Sequence, residues 1–195
     1  MNKILISLLF FLIANIYPSF GSDKAKGFFV SFGVGPRFPI SNFANSTDLG
    51  YGFNLEFSYT DNEFIPFFLF AKFGYEQYPG SQGYYESTDY SSFSTTNVPL
   101  NTGIRYYFSP LLESAFLLIP LVEVSASFSY LKELHEFKLT SGKSSFYDEK
   151  YNFGFSAGLG VSMFLMEILA SYNYFENNQF ISADLKLRLP LLVIF

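Results

Sequence analysis

The sequence contains one histidine, His135, and no cysteine, which leaves few side chains able to act as an acid, a base or a metal ligand near neutral pH. Potential catalytic partners near it in the chain are Ser141, Ser144, Ser145 and Glu149. Glu136-Phe137 follows His135, so no His-x-Ser pair is present, and no spacing supplies a nucleophile, a base and an orienting group together. We therefore predict a solvated loop histidine, and no catalytic, cofactor or metal site.

Other ionisable residues recur on alternate positions within largely apolar segments. Five are positive and five are negative: Arg37, Glu56, Lys72, Glu76, Arg105, Glu123, Glu167, Asp184, Lys186 and Arg188. Each stands on the face opposite the large apolar side chains, so all of them should point into one interior. An ion or proton pathway is one interpretation. Nearly equal opposite charges in a narrow interior favour the other, a structural plug of paired ions.

Strands are the elements that must position these charges. In the segment from Tyr151 to Met163, large or apolar side chains occupy the odd positions and Asn, Gly or Ser the even ones. This period of two is that of a strand with one apolar and one polar face. Its 13 residues exceed most soluble strands and suit a tilted strand that crosses a bilayer, which needs roughly 9–11 residues.

The rest of the chain repeats this pattern. We predict eight strands: Gly27–Phe38, Tyr51–Tyr59, Phe64–Tyr78, Thr96–Phe108, Phe116–Tyr130, Tyr151–Met163, Glu167–Tyr174 and one from Phe180 onward. Pro36 and Pro39 should end the first strand. Tight turns, one at Asp61-Asn62, alternate with longer connections, namely Pro39–Leu49, Pro79–Thr95, Leu131–Lys150 and Glu176–Gln179. The predicted fold class is an all-β, eight-stranded, antiparallel up-and-down transmembrane β-barrel.

The composition agrees with a membrane barrel. Hydrophobic residues make up 49% of the chain and charged residues only 15%, and its 27 Phe and 15 Tyr exceed what a small soluble core needs. The net charge of −5 and the lack of a basic stripe give no footprint for nucleic acid. A secreted soluble sandwich or lipocalin-like barrel is the structural alternative, because its strands alternate in the same way.

Residues 1–21 have the pattern of a secretory signal peptide. Lys3 supplies a positive charge, residues 4–16 form an apolar segment, and Ser19-Phe20-Gly21 place small residues at the −3 and −1 positions of a cleavage site. This apolar segment of about 13 residues is too short for a spanning helix, which needs roughly 20. We therefore expect a signal peptide (1–21) followed by an outer-membrane β-barrel domain (22–195).

The segment from Gly80 to Phe93 is rich in Tyr, Ser and Gly, a composition typical of adaptable recognition surfaces. The candidates for contact with a surface protein or a small ligand are Tyr84, Tyr85, Tyr90 and Phe93. The alternative is an ordinary exposed loop, since loops are in general polar and variable.

The signal peptide, the opening strand Gly27–Gly35, the Gly and Ser of the polar faces and the terminal Phe195 together resemble the small bacterial outer-membrane β-barrel domain family of the Bacteroidetes type. The resemblance covers residues 27–195. It implies a barrel in outer-membrane lipid, inserted by the barrel-assembly machinery through its C-terminal strand. Pro190 has no N–H to donate, which leaves the register of the last five residues open.

The resemblance and the predicted plug imply a non-enzymatic barrel with a structural or surface-interaction role and no cofactor. Two alternatives stay open. One is a narrow channel or conduit for small apolar molecules, and the other is a lipid-modifying outer-membrane enzyme that would use His135.

Overall fold

Eight antiparallel strands form a closed barrel in the computed structural model, which describes residues 26–61, 65–111 and 117–194. The strands are β1 (Lys26–Ile40), β2 (Gly50–Asp61), β3 (Ile65–Pro79), β4 (Tyr90–Tyr107), β5 (Leu118–Phe137), β6 (Phe146–Met163), β7 (Met166–Phe175) and β8 (Gln179–Ile194). Each strand pairs with its neighbours in sequence, and β1 also pairs with β8 to close the ring. The predicted fold class is confirmed, and the predicted signal peptide lies outside the described residues.

Alternation along the strands separates an apolar outer face from a polar inner face. The outward side chains of Phe32, Phe73, Val124 and Leu159 are all more than half exposed, whereas the inward Ser125 is 7% exposed. An apolar belt around a whole barrel far exceeds the largest patch of a typical soluble monomer, about 300–600 Å². It has the form of the lipid-facing belt of a transmembrane β-barrel, so the barrel spans a membrane.

Short helices occupy several connections at one end of the barrel. Two are 3-10 helices, Ser41–Asn45 and Leu139–Ser141, and one is α-helical, α1 (Gln82–Ser87). Ser81 caps α1, because its hydroxyl oxygen accepts a hydrogen bond from the Tyr84 N–H at 3.3 Å. Among the described residues, no helix has the length and apolar character needed to cross a bilayer.

The two longest predicted loops are shorter than predicted, because the strands continue into both of them. β4 begins at Tyr90, β5 continues to Phe137 and β6 begins at Phe146, and the ladder between β5 and β6 is unbroken from its base to His135. These strand ends rise beyond the apolar belt. Both of their faces can therefore meet water, and the alternation that reveals a lipid-facing strand is absent from the sequence there.

β1 runs through Pro36 and Pro39 to Ile40, although both prolines were predicted to end it. Pro36 lies opposite Tyr51 of β2, while the ladder with β8 is interrupted at this point, between Val34 and Arg37. Pro39 pairs with β8 beyond the last residue paired with β2. Each proline therefore lies where one side of the strand lacks a continuous ladder and the missing N–H costs little.

The last strand extends past its neighbour. The ladder between β7 and β8 ends where Met166 pairs with Leu187, while β8 continues along β1 as far as Ile194 opposite Lys26. A register shift between Phe28 and Phe29 accommodates this stretch. The predicted terminal signal, Phe195, is outside the described residues.

Gly35 is the position where the barrel wall tolerates least added volume. A Cβ atom there would clash with the carbonyl oxygen of Ala183 on β8, whereas nothing lies within 4 Å of a Cβ built on Gly83 in α1. We expect Gly35→Ala to lower the free energy of unfolding by roughly 1–3 kcal/mol, because backbone rather than a flexible side chain must move. Urea unfolding in lipid vesicles measures this, with Gly83→Ala as the control; equal stability of the two variants would contradict the close approach.

Candidate functional site

The structure places all ten predicted charged residues on the inner face of the barrel. The least buried of them, Arg188, is 8% exposed, and Arg105 and Glu56 are completely buried. Hydrogen bonds and ion pairs sort them into two clusters. We call these the central cluster and the upper cluster, the latter lying nearer the long connections.

Arg105 on β4 holds the central cluster together. Its guanidinium donates to both carboxylate oxygens of Glu56 at 2.7 Å, and to Glu123 Oε2 at 3.0 Å from Nε and 2.5 Å from Nη2. A longer contact of 3.4 Å reaches Glu167 Oε2. The guanidinium is a planar fork, and this geometry lets it bind several carboxylates at once.

Each carboxylate of the central cluster also has a second cation. Lys186 Nζ lies 2.8 Å from Glu56 Oε2, and Lys72 Nζ lies 3.1 Å from Glu123 Oε1. Arg188 lies 2.9 Å from Glu167 Oε1, and the Tyr107 hydroxyl donates to the same oxygen at 2.6 Å. The cluster thus contains four cations and three carboxylates.

The upper cluster has the opposite imbalance. Arg37 contacts Glu76 at 2.8 Å and Asp184 at 2.9 Å. Tyr78 donates to Glu76 at 2.9 Å, as does Asn97 at 2.8 Å, while Asn54 donates to Asp184 at 3.1 Å. One cation with two carboxylates offsets the surplus cation of the central cluster, so the interior charges sum to zero.

Aromatic side chains close the interior above and below the charges. Towards the long connections, a buried cluster contains Phe43, Tyr78, Phe175 and Phe180. Towards the tight turns, the guanidinium of Arg188 lies about 5 Å from three ring centroids, those of Phe29, Phe68 and Tyr107. A small cavity beside Arg37, Asn101 and Asp184 has room for about one water molecule.

Sequence reasoning missed the uncharged members of these clusters. Tyr78, Tyr107 and Asn54 were not predicted as partners of the interior charges, yet each lies two positions from a predicted charge, respectively Glu76, Arg105 and Glu56. The period of two places such neighbours on the same face. That signal was available in the sequence.

His135 lies on a strand rather than in a loop, which corrects the predicted solvated histidine. It belongs to the part of the sheet formed by Tyr90–Ser94, Leu131–Phe137 and Phe146–Phe153, which we call the extension. Its side chain is 13% exposed, its ring stacks on Phe146 at 4.5 Å, and its Nδ1 lies 3.0 Å from the Tyr90 hydroxyl. Within the described residues, neither ring nitrogen bonds a serine hydroxyl.

The four aromatic residues predicted for recognition lie together but do not all face solvent. Tyr84 stacks on Tyr90 at 5.1 Å, and the Tyr85 hydroxyl donates to the carbonyl oxygen of Phe93 at 2.9 Å. Phe93 itself is buried, at 5% exposure. Their contacts hold α1 against the extension, and partial burial raises the pKa of the Tyr84 phenol.

One edge of the extension is unpaired. β7 begins to pair with β6 only at Gly154, opposite Phe175, so within the described residues Phe146–Phe153 has no strand on the side away from β5. Tyr147 and Tyr151 on this segment are 61% and 68% exposed. An open edge offers backbone N–H and C=O groups to any extended segment that comes alongside.

The chain matches no protein-family model and no curated protein sequence. Solved structures of similar path include Neisserial surface protein A, at 15% identity over 86% of this chain and 99% of that chain, with a TM-score of 0.46. The attachment invasion locus protein Ail of Yersinia pestis is 14% identical, and the match covers 86% of this chain and 99% of Ail with a TM-score of 0.46. A de novo designed transmembrane β-barrel is 14% identical, and the match covers 84% of this chain and 96% of the designed chain with a TM-score of 0.42. Similarities at this level concern the path of the chain and not its activity.

A closed barrel with an outward apolar belt is the architecture of outer-membrane proteins. The fold and the belt described above therefore place this protein in a bacterial outer membrane.

Proposed function

We propose that the protein is a non-enzymatic outer-membrane barrel whose interior is plugged by paired charges and whose function is surface interaction through the extension. The observation that carries this proposal is the open β6 edge beyond the apolar belt. The resemblance to the Bacteroidetes-type family stays a prediction.

The plug is supported by the completeness of the ion pairing. Every one of the ten interior charges has an oppositely charged partner within 3.4 Å. Moving an ion through the interior would require these contacts to break in a narrow, poorly hydrated space, where separating paired charges is costly. An eight-stranded barrel leaves room for side chains and little else.

We expect no steady conductance from the purified protein in planar lipid bilayers. In this proposal the paired charges of the central cluster and the aromatic rings at both ends fill the interior and block the passage of ions. The control is a general porin added to the same bilayers. A stable, large open state of this protein would contradict the plug and favour the channel alternative.

Surface interaction is supported by the shape and chemistry of the extension. Its free edge on β6 presents eight residues, Phe146–Phe153, which is long enough to accept a typical strand. Exposed tyrosines flank Asp148, Glu149 and Lys150, so a partner would meet aromatic rings together with charges of both signs. Backbone pairing supplies affinity in such complexes, and the alternate side chains supply selectivity.

A shortened hairpin tests this role. Leu131 and Lys150 pair directly, so residues 132–149 can be replaced by a two-residue Asn-Gly turn without changing the register below. We expect cells that carry this variant to attach to immobilised extracellular proteins, or to one another, no better than cells lacking the protein. The measurement is the fraction of attached or aggregated cells at equal amounts of folded barrel.

The matched control replaces only the tip, residues 139–144, and keeps the whole β6 edge. This variant should attach as the unaltered protein does. Equal attachment by both variants would contradict a role for the extension, and so would an unaltered protein that adds nothing to the attachment of cells without it.

The proposed partners in the membrane are the lipid around the apolar belt and the barrel-assembly machinery, which would bind the C-terminal strand. Support for the second comes from β8, whose last residues extend beyond β7 and leave that side of the strand accessible. In the non-enzymatic proposal His135 is a structural residue of the extension: its ring packs against Phe93 and Phe146, and its Nδ1 lies 3.0 Å from the Tyr90 hydroxyl.

A further inference from the structure

We propose that Glu133, His135 and Asp148 form a binding site for a zinc-class divalent cation on the inner face of the extension. One nitrogen or oxygen atom from each of these residues lies within 4.8 Å of the others. The site is outside the barrel interior and shares no residue with the two charge clusters.

The register of the sheet brings the three side chains together. Glu133 and His135 are two positions apart on β5, and Asp148 of β6 is the direct partner of Glu133. Residues two apart on a strand and residues directly opposite across a ladder lie on the same face. The geometry is therefore a property of the sheet and does not depend on a loop conformation.

His135 is held as a ligand would be. Nδ1 lies 3.0 Å from the Tyr90 hydroxyl, while Nε2 is buried without a hydrogen-bond partner and lies 3.8 Å from Glu133 Oε2. With the proton on Nδ1 donated to Tyr90, the lone pair of Nε2 faces the carboxylates. Histidine ligands commonly have one nitrogen fixed in this way and the other on the metal. Stacking on Phe146 and the edge contact with Phe93 fix the plane of the ring.

The donor set favours zinc over calcium or magnesium. One imidazole nitrogen and two carboxylate oxygens make three protein ligands, and a water molecule would complete a tetrahedral zinc site. Ligand atoms of such a site are about 3.3 Å apart for metal–ligand distances of about 2.0–2.2 Å. The two carboxylates therefore need to move by about 1 Å towards a fixed imidazole. Calcium and magnesium prefer oxygen ligands and gain nothing from His135.

Lys150 binds two of the proposed metal ligands and would compete with a metal ion for them. Its Nζ lies 2.7 Å from Asp148 Oδ2 and 3.1 Å from Glu133 Oε2, and its side chain is about half exposed. A metal ion must displace the ammonium, and an exposed lysine can swing into water at little cost. Removing Lys150 should therefore strengthen binding, which no purely structural ion pair would predict.

The test is a calorimetric titration of the refolded protein, prepared without a polyhistidine tag, with zinc chloride in detergent micelles. We expect one equivalent of Zn²⁺ to bind. His135→Ala and Asp148→Asn should each weaken binding at least tenfold, and Tyr90→Phe by about 10–100-fold through loss of the ring's fixing contact. Lys150→Gln should bind more tightly than the unaltered protein. Glu149→Gln, next to Asp148 but on the opposite face, is the matched control and should not change the affinity.

The histidine itself gives a readout that needs no variant. Because His135 is the only histidine, its Nε2 resonance in a ¹⁵N spectrum should shift on addition of Zn²⁺ and not on addition of Mg²⁺. Four results would overturn the proposal: no saturable binding, unchanged affinity in His135→Ala, weaker binding in Lys150→Gln, or Ca²⁺ or Mg²⁺ binding as tight as Zn²⁺. Heat-modified mobility on gels confirms that each variant is folded before it is titrated.

Discussion

Arg105→Met is expected to lower the free energy of unfolding of the barrel by about 3–5 kcal/mol, the usual cost of breaking a buried ion pair from one side. The substitution removes the guanidinium that joins Glu56, Glu123 and Glu167. Each carboxylate keeps one cation, which limits the loss, but three negative groups remain close together around an apolar side chain. Urea unfolding in lipid vesicles, followed by the gel mobility of the folded form, measures the change.

A second substitution separates lost attraction from general disturbance. Adding Glu123→Gln to Arg105→Met removes one of the carboxylates that have lost the guanidinium. The loss of unfolding free energy in the double variant should therefore be smaller than the sum of the losses in the two single variants, by about 0.5–3 kcal/mol. Arg188→Met, at the margin of the central cluster with a single carboxylate partner, should cost less than Arg105→Met. Unfolding of Arg105→Met at the same urea concentration as the unaltered protein would show that the ion pairs do not stabilise the barrel.

Val124→Lys is expected to cost about 2–4 kcal/mol of stability in vesicles, because it places an ammonium on the lipid face near mid-barrel. Val124 is 52% exposed on the outer face, opposite Ala157 in the ladder with β6. Val124→Met is the control for size and should change little. Tyr147→Lys lies on the same outward parity but on the extension. It should cost less than Val124→Lys, because water replaces lipid there and the change affects mainly the contact between the Tyr147 ring and the Lys132 ammonium.

These comparisons test depth as well as orientation. If Val124→Lys and Tyr147→Lys cost the same, the apolar belt does not mark the position of the bilayer. Unaltered protein that folds without lipid or detergent would contradict the membrane assignment itself, since a soluble barrel would require the outer face to be stable in water.

The sequence predicted well what lipid imposes on it. Alternation assigned all ten charges to one interior, because inside the bilayer each strand must show an apolar face to lipid. Which charge would pair with which was beyond that reasoning. Glu56 meets Lys186 across 130 positions of sequence, and only closure of the ring brings them together.

The prediction of the strand boundaries was wrong in the extension, where the strands do not contact lipid and need no apolar face. The extension reads as two polar loops because neither face of its strands needs to be apolar in water, so His135 was taken for a loop residue. The contacts of His135 with Tyr90 and Phe146 depend on the register of β4, β5 and β6, which is set by their pairing within the barrel. The prediction that Pro36 ends β1 was wrong for a different reason. A proline interrupts a strand where its missing N–H would have donated to a neighbouring strand, and at Pro36 the ladder with β8 is already interrupted.

The seam between β1 and β8 has a consequence for the order in which the barrel assembles. The first and last strands of the barrel are partners, for example Lys26 with Ile194, so the ring cannot close until β8 has joined the sheet. Until then β1 and β7 each carry an open edge, and contacts of such long sequence separation form slowly. The unfinished sheet is therefore the state most exposed to wrong pairing with other chains. Correct assembly in the membrane should therefore depend on how quickly β8 pairs with β1.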